Sequence, residues 1–200
     1  TQDSIGYHEE FRKAKIIYQE IAVSMPFYYD EEAFFMDTTC FMMSSESESL
    51  PYLAALFNSS LFRCCFKNNF PEYSGNASRM KKVFFDQIAI KKPTETETTL
   101  FEVLVPMVQF AKRESMDVPA AFLVEVIDAC VLELYFPEEA AVKKLQFMNA
   151  VSALLGSKVT PTTASVEAFY SAANDAKHTI RNQLLRLTAD SPDLFAIIKR

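Results

Sequence analysis

The side chains best suited to binding chemistry lie between Lys67 and Lys82. Arginine, asparagine and serine side chains hydrogen bond to base edges in DNA grooves, whereas lysines bind phosphates and supply affinity. The candidates for base edges are Asn68, Asn69, Asn76, Ser78 and Arg79, those for phosphates are Lys67, Lys81 and Lys82, and Tyr73 could stack or pack against a sugar. These residue types predict a nucleic-acid-binding loop. The alternative is a surface loop whose polar residues serve only solubility.

Positive charge is concentrated around this loop. The formal net charge of the chain is −6 at pH 7, which counts against a nucleic-acid binder judged as a whole, because phosphate neutralisation needs many Lys and Arg residues. Residues 61–92 nevertheless hold seven basic and two acidic residues, a local net charge of +5. Taken by itself, this surplus favours a solvated basic face that binds no ligand over an anion-binding surface.

Composition is typical of a folded intracellular protein. Half of the 200 residues are hydrophobic and three are Gly, so we expect a substantial core in one large or two small domains. No apolar run reaches the roughly 18 residues of a membrane span, and the first thirty residues lack a signal pattern, which predicts a soluble, cytoplasmic protein. Cys40, Cys64, Cys65 and Cys130 lie in apolar segments without metal-ligand spacing, so we expect reduced, structural cysteines.

The first half of the chain has the periodicity of strands followed by a helix. Residues 15–23, 33–36 and 38–43 are rich in β-branched, aromatic and other apolar side chains, which predicts strands, with a turn at residues 30–32. Apolar residues at steps of three and four over residues 52–66 predict a helix. Residues 66–80 lose this periodicity, so we expect a long loop there.

The second half has the periodicity of helices alone. Residues 93–99 have no core-forming side chains and predict a linker. Apolar stripes then predict helices over residues 100–113, 120–135, 138–155, 165–187 and 192–199. Pro106 is expected to kink or split the first of these, because proline lacks the amide hydrogen and clashes with the preceding turn. The predicted fold class is α+β, with mixed strands and helices followed by an all-helical part.

Four short motifs occur in an order that resembles a known family. Lys15, Ile16, Glu20 and Ile21 form a Lys-Ile-x-x-x-Glu-Ile strand, residues 56–59 form a Leu-x-Asn-Ser helix core, and residues 88–93 are similar to an Ile-x-Ile-Pro-x-Pro strand end in which Lys91 replaces the first proline. Residues 126–135 are similar to an Ile-Asp-x-x-Val-Tyr-x-Leu-Tyr segment, with Leu132 in place of a tyrosine. Together they resemble the TaqI-like C-terminal specificity domain of type IIG restriction-modification methyltransferases.

The resemblance implies a function in DNA recognition without catalysis. It implies a DNA target-recognition domain at residues 11–93, which engages double-stranded DNA so that another part of a parent protein can methylate an adenine. The linker and the helical periodicity add a helical domain at residues 99–200, which is expected to buttress the recognition domain or to pack against the absent methyltransferase core. The Asn-Pro-Pro-Tyr-like motif of such methyltransferases is absent from this sequence. We therefore expect a non-catalytic specificity fragment, whose partners are DNA and the methyltransferase or nuclease domains of the parent. S-adenosylmethionine and magnesium are expected only in those domains.

Other polar residues favour structural interpretations. Asn58 and Ser59 are expected to cap a turn or to bond to backbone rather than to contact DNA. Asp128 and Glu133 are expected to make a helix-surface or interhelical hydrogen bond rather than to act in catalysis. His8 and His178 have no neighbours at metal-ligand spacing. Two other functions stay open: a protein-interaction module that docks on a methyltransferase without touching DNA, and an enzyme that acts alone.

Overall fold

Antiparallel strands from the first half of the chain form two small sheets. The structure, a computed structural model, describes residues 8–23, 26–36, 39–69, 72–74, 77–80, 82–156 and 159–189. After a 3₁₀-helix at His8–Arg12, the strands are β1 Lys15–Gln19, β2 Ile21–Ala22, β3 Tyr28–Asp30, β4 Cys40–Met43, β5 Glu72–Ser74 and β6 Ala77–Arg79. The first sheet has the order β3-β1-β4 and the second the order β2-β6-β5. Because β1 and β2 follow each other directly, one stretch of chain contributes to both sheets.

Helices make up most of the remaining described structure. They are α1 Leu50–Asn58, α2 Ser60–Asn69, α3 Lys82–Phe85, α4 Glu95–Arg113, α5 Asp117–Tyr135, α6 Pro137–Val142, α7 Phe147–Leu155, α8 Thr163–Ala173 and α9 Thr179–Ala189. The predicted α+β class, with helices following the strands, is confirmed.

One hydrophobic core extends through both halves of the chain. Helix α1 is buried over residues 50–57 and packs against α4, which lies alongside α5. On the strand side, the core contains a cluster of aromatic rings from Phe27, Phe57, Phe62 and Phe85, with centroids 5.0 to 6.1 Å apart. Rings at this spacing add attraction to the burial of their large apolar surface. The division into domains at residues 11–93 and 99–200 stays a prediction.

A buried ion pair fixes the start of the first sheet. Lys15 and Asp30 are both fully buried, and the Lys15 ammonium donates to the Asp30 carboxylate and to the Phe11 carbonyl oxygen at 2.6 Å. Asp30 also accepts from the amides of Glu32 and Phe34, at 2.9 and 3.0 Å. These bonds hold the chain in a turn after β3, so the predicted strand at residues 33–36 is wrong and the strand lies at Tyr28–Asp30 instead.

The helix predicted over residues 52–66 is two helices. Ser59 separates α1 from α2, and its hydroxyl accepts from the Phe62 amide at 3.1 Å as the N-cap of the second helix. The loop predicted at residues 66–80 contains the hairpin of β5 and β6. The strand end expected at residues 88–90 is wrong, because these residues form no strand and follow the short helix α3.

The predicted linker is largely the first turn of α4. Thr94 and Glu97 form a capping box, in which the Thr94 hydroxyl accepts from the Glu97 amide and the Glu97 carboxylate accepts from the Thr94 amide. Helix α4 then continues through Pro106, so the predicted split at this proline is wrong, and the predicted kink stays a prediction.

Two of the long predicted helices are interrupted. The segment at residues 138–155 divides into α6 and α7 at a turn where Lys144 has a φ of 55°. The segment at residues 165–187 divides into α8 and α9, with Asn174 at the C-cap of α8. The helix predicted at residues 192–199 lies outside the described residues.

Candidate nucleic-acid interface

The predicted DNA-binding residues are distributed along a helix, a hairpin and a second helix. Lys67, Asn68 and Asn69 form the end of α2, Tyr73 lies in β5, Ser78 and Arg79 lie in β6, and Lys82 begins α3. Asn76 and Lys81 lie outside the described residues. The hairpin joins the N-terminal strand region, since Arg79 pairs with Ile21 and Ser78 pairs with Ala22 across β6 and β2. The backbone therefore forms a β-ribbon flanked by two short helical segments that carry lysines.

Arg79 is held in place by Glu20. The Arg79 Nε donates to Glu20 Oε1 at 2.7 Å, and the Met80 amide donates to the Glu20 carbonyl oxygen at 2.7 Å. Both charged side chains are partly exposed, at 38% for Arg79 and 28% for Glu20. An ion pair in contact with water contributes little stability, commonly about 0–1 kcal/mol. Glu20 can therefore orient the Arg79 guanidinium group, and another anion could displace Glu20 at a small cost in free energy.

Asn58 and Ser59 have the structural roles expected of them. The Asn58 side chain accepts from the Phe27 amide at 3.1 Å and donates to the carbonyl oxygens of Phe27 and Ala54 at 2.8 and 2.7 Å. Ser59 Oγ donates to the Leu56 carbonyl oxygen at 2.6 Å in addition to capping α2. Asn58 thus ties the end of α1 to the residue before β3. The hydrogen bonds described for the Asn58 and Ser59 side chains are all made to backbone atoms.

Asp128 joins the helical half to the start of α2. It is buried, and its carboxylate accepts from the Ser60 amide at 2.7 Å and from the Ser60 hydroxyl at 2.8 Å. A carboxylate at a helix N-terminus satisfies an otherwise unpaired amide and interacts favourably with the helix dipole. The expectation of an interhelical hydrogen bond is confirmed.

Glu133, on the same helix, caps a second N-terminus. Its carboxylate accepts from the Met148 amide at 3.0 Å, at the start of α7. Burial raises the pKa of Glu133 above its usual value, while the Met148 and Phe147 amides oppose that rise. These contacts again confirm the interhelical interpretation.

Lys91 is bound by residues of α1 and α5. Its amide donates to the Tyr135 hydroxyl at 3.0 Å, its carbonyl oxygen accepts from the Tyr52 hydroxyl, and its ammonium donates to the Leu134 carbonyl oxygen at 2.6 Å. Burial is the main cause that raises the pKa of Tyr52, followed by the hydrogen bond with Tyr135. Lys91 was counted in the local positive surplus, but its ammonium is engaged within the protein.

Sequence motifs that are far apart therefore meet in the fold. Residues 56–59 end beside Ser60, which Asp128 binds, and residues 88–93 include Lys91, which Tyr135 binds. Asp128 and Tyr135 both belong to the motif at residues 126–135. The helical half thus holds the first half of the chain at one of its three motifs, residues 88–93, and directly beside another, residues 56–59.

A large cleft was missed by sequence reasoning. It has a volume of about 840 Å³ and lies between β3, the junction of α1 and α2, and the facing sides of α4 and α5. Its wall is mostly apolar, with Val105, Val108, Val124 and Ile127 from α4 and α5. Arg63 and Lys112 also line it. No local motif marks such a site, because its residues come from separate segments of the sequence. The one signal in the sequence was that Arg63 lies within residues 61–92, the segment with surplus positive charge.

Metal and thiol chemistry receive no support from the described residues. In that part of the chain, no three His, Cys, Asp or Glu side chains are grouped as metal ligands. Cys40, Cys64, Cys65 and Cys130 are thiols rather than disulfides, and burial raises the pKa of Cys130 well above its usual value. Within the described ranges, no helix combines the length and the apolar character needed to cross a membrane.

Comparison with known protein families matches the first half of the chain. No curated protein and no solved structure matches it. A family model does match, and it covers residues 2–90, which include the hairpin and all nine predicted DNA-binding residues. The family is described as the TaqI-like C-terminal specificity domain, which implies recognition of a DNA sequence in restriction-modification systems. The resemblance inferred from the motifs is thereby confirmed, and residues 2–90 are similar to a TaqI-like C-terminal specificity domain.

Proposed function

We propose that this chain recognises a duplex DNA sequence and presents it to methyltransferase or nuclease domains of a parent protein. The observation that carries the proposal is the family match over residues 2–90. The proposed contacts are the nine residues named from the sequence: Lys67, Asn68, Asn69, Tyr73, Asn76, Ser78, Arg79, Lys81 and Lys82.

The hairpin has a suitable form for reading DNA. The major groove of B-DNA admits a two-stranded β-ribbon as well as a helix, and polar side chains on it can reach base edges. Strands β5 and β6 form such a ribbon, and β2 anchors one side of it through the pairing of Ile21 with Arg79. The lysines of the flanking helical segments are proposed to bind phosphates on either side of the groove.

Arg79 is the proposed base-reading residue with the best-supported position. A guanidinium group binds the O6 and N7 of guanine with two parallel hydrogen bonds, provided that its orientation is fixed. Glu20 supplies that orientation through the 2.7 Å bond to Nε. The partial exposure of both side chains keeps the pair within reach of a ligand.

The helical half is proposed to support the recognition half rather than to catalyse. Asp128 and Tyr135 on α5 bind Ser60 and Lys91, and these bonds fix the two ends of the segment that carries the hairpin. We further propose that residues 11–93 and 99–200 are the two domains, that the parent is a type IIG adenine methyltransferase and endonuclease of the cytoplasm, and that S-adenosylmethionine and magnesium act only in its catalytic domains.

A duplex-binding assay over a range of salt concentrations tests the proposal. A pool of labelled random-sequence duplexes is titrated with the full chain, alone and together with the parent's methyltransferase domain, and fluorescence anisotropy is measured at each salt concentration. The double variant Arg79→Ala, Lys82→Ala is expected to weaken binding and to lower the salt slope by roughly 0.9 for each phosphate that is no longer bound. The control is Lys144→Ala with Lys177→Ala, which removes the same charge from exposed positions of the helical half.

The outcomes separate the alternatives. Steep salt dependence that falls in the hairpin variant but not in the control supports the proposal. Binding that is indifferent to salt and to both variants would contradict the proposed surface. If the chain binds the methyltransferase domain but the complex binds DNA no more tightly than that domain does alone, the chain is a protein-interaction module instead.

A further inference from the structure

Two cations from the two halves of the chain line the same cleft. Arg63 lies in the first turns of α2, and Lys112 lies in the last turn of α4. Both side chains are exposed. Residues from distant parts of the sequence are thus brought together by the packing of α1 and α2 against α4 and α5.

These two cations have no carboxylate partner among the described residues, unlike their neighbours. Arg113 is paired with Glu32 at 2.8 Å, and the Asp128 carboxylate, which also lines the cleft, is occupied by Ser60. No ion pair or hydrogen bond of the Arg63 or Lys112 side chain occurs within the described ranges. Glu125 is the other carboxylate of the cleft wall. The charged residues of the cleft wall are three cations, Arg63, Lys112 and Arg113, and two carboxylates, Glu125 and Asp128, so the formal net charge of the wall is +1. Cations without a bonded carboxylate can bind an added anion.

One cation of the cleft wall lies on a helix that also carries proposed DNA-binding residues. Arg63 belongs to α2, and α2 ends with Lys67, Asn68 and Asn69. The hairpin of β5 and β6 follows α2 in the sequence. Arg63 is therefore the cation of the cleft that shares a helix with the proposed recognition residues.

We propose that Arg63 and Lys112 bind phosphates of the same DNA duplex that the hairpin reads, so that the duplex contacts both halves of the chain. This inference rests on the proposed function and extends it to the helical half. An acidic protein segment is the other anion that the site could take. The position of Arg63 on the same helix as Lys67, Asn68 and Asn69 favours DNA, because those three residues are proposed to bind it.

Single substitutions test the proposed phosphate contacts of Arg63 and Lys112 separately, through the salt dependence of duplex binding. Arg63→Gln and Lys112→Gln are each expected to weaken duplex binding and to lower the slope of log affinity against log salt by about 0.9, the value for one phosphate contact. The double variant is expected to lower the slope by about 1.8 on the same basis. Lys177→Gln removes an exposed charge elsewhere on the helical half and is expected to leave the slope unchanged. Urea unfolding of each variant confirms an intact fold.

The results distinguish this inference from the function on which it rests. If the hairpin variants weaken binding while Arg63→Gln and Lys112→Gln behave like Lys177→Gln, the helical half makes no phosphate contact and the inference is overturned, with the proposed function intact. If the wild-type chain does not bind duplex DNA even with its methyltransferase domain, both are overturned. Equal weakening across sequences, with unchanged preference among them, supports phosphate contacts as opposed to base reading.

Discussion

Replacing Asp128 by alanine tests how strongly the two halves are joined. The substitution removes the carboxylate that accepts from the Ser60 amide at 2.7 Å and from the Ser60 hydroxyl at 2.8 Å. Ser60 and Asp128 are 3% and 8% exposed, so the bonds between them lie largely out of contact with solvent in the wild-type protein. The amide also belongs to the first turn of α2, where the helix itself offers it no partner.

The expected loss of stability follows from these contacts. A buried donor left without an acceptor costs about 1–3 kcal/mol, and two donors of Ser60 are affected. The Asp128→Ala variant is therefore expected to lower the free energy of unfolding by about 3–5 kcal/mol, within the range that two such donors allow. Asp128→Asn keeps one oxygen acceptor but loses the charge, so a smaller loss of about 1–2 kcal/mol is expected, since hydrogen bonds to charged groups are the stronger ones.

Urea denaturation followed by circular dichroism measures this loss. Asp117→Ala is the matched control, because Asp117 is exposed in the first turn of the same helix; its removal is expected to cost at most about 1 kcal/mol through the helix dipole. A loss below about 1 kcal/mol for Asp128→Ala, or one equal to that of the control, would refute the argument. A thermodynamic cycle with Ser60→Ala then isolates the hydroxyl contribution from that of the backbone amide.

Two further predictions concern buried or half-buried ionisable groups, and both are measured by urea denaturation. Lys15→Met leaves the fully buried Asp30 without its cation and is expected to lower the free energy of unfolding by about 3–5 kcal/mol; a loss under about 1 kcal/mol would show that the pair is unimportant. Glu133 has a folded-state pKa raised above its usual 4.5 by burial, so its contribution to stability is greatest below pH 4.5 and is lost as the pH rises through the folded value. Glu133→Gln should therefore gain stability relative to wild type as the pH rises from about 4.5 through that folded-state value, and a constant difference would contradict this.

Much of the fold could be predicted from local patterns. The periodicity of residues 100–113 and 120–135 marked α4 and α5, since a helix that buries one face repeats its apolar residues every three to four positions. The β-rich residues 15–23 became β1 and β2. The capping box of Thr94 and Glu97 was also present in the sequence, and it was overlooked in favour of a linker because residues 93–99 lack apolar side chains.

The two wrongly predicted strands share one physical origin. Residues 33–36 are apolar enough for a strand, yet the carboxylate of the buried Asp30 binds the amides of Glu32 and Phe34 and turns the chain away. Residues 88–90 are likewise apolar, but Lys91 is bound by Tyr135, 44 positions later. Hydrogen bonds to a buried side chain or to a distant helix override local propensity, which is a weak preference by comparison.

The sequence by itself determined the class of the molecule, its positive segment and the family that its first half resembles, because composition, periodicity and motif order are properties of neighbouring residues. Only the tertiary structure decided how the motifs meet: Asp128 beside Ser60, Tyr135 beside Lys91, Glu20 beside Arg79, and two cations across one cleft. Such pairs depend on how helices and sheets pack, and packing depends on the whole set of buried surfaces rather than on any single segment.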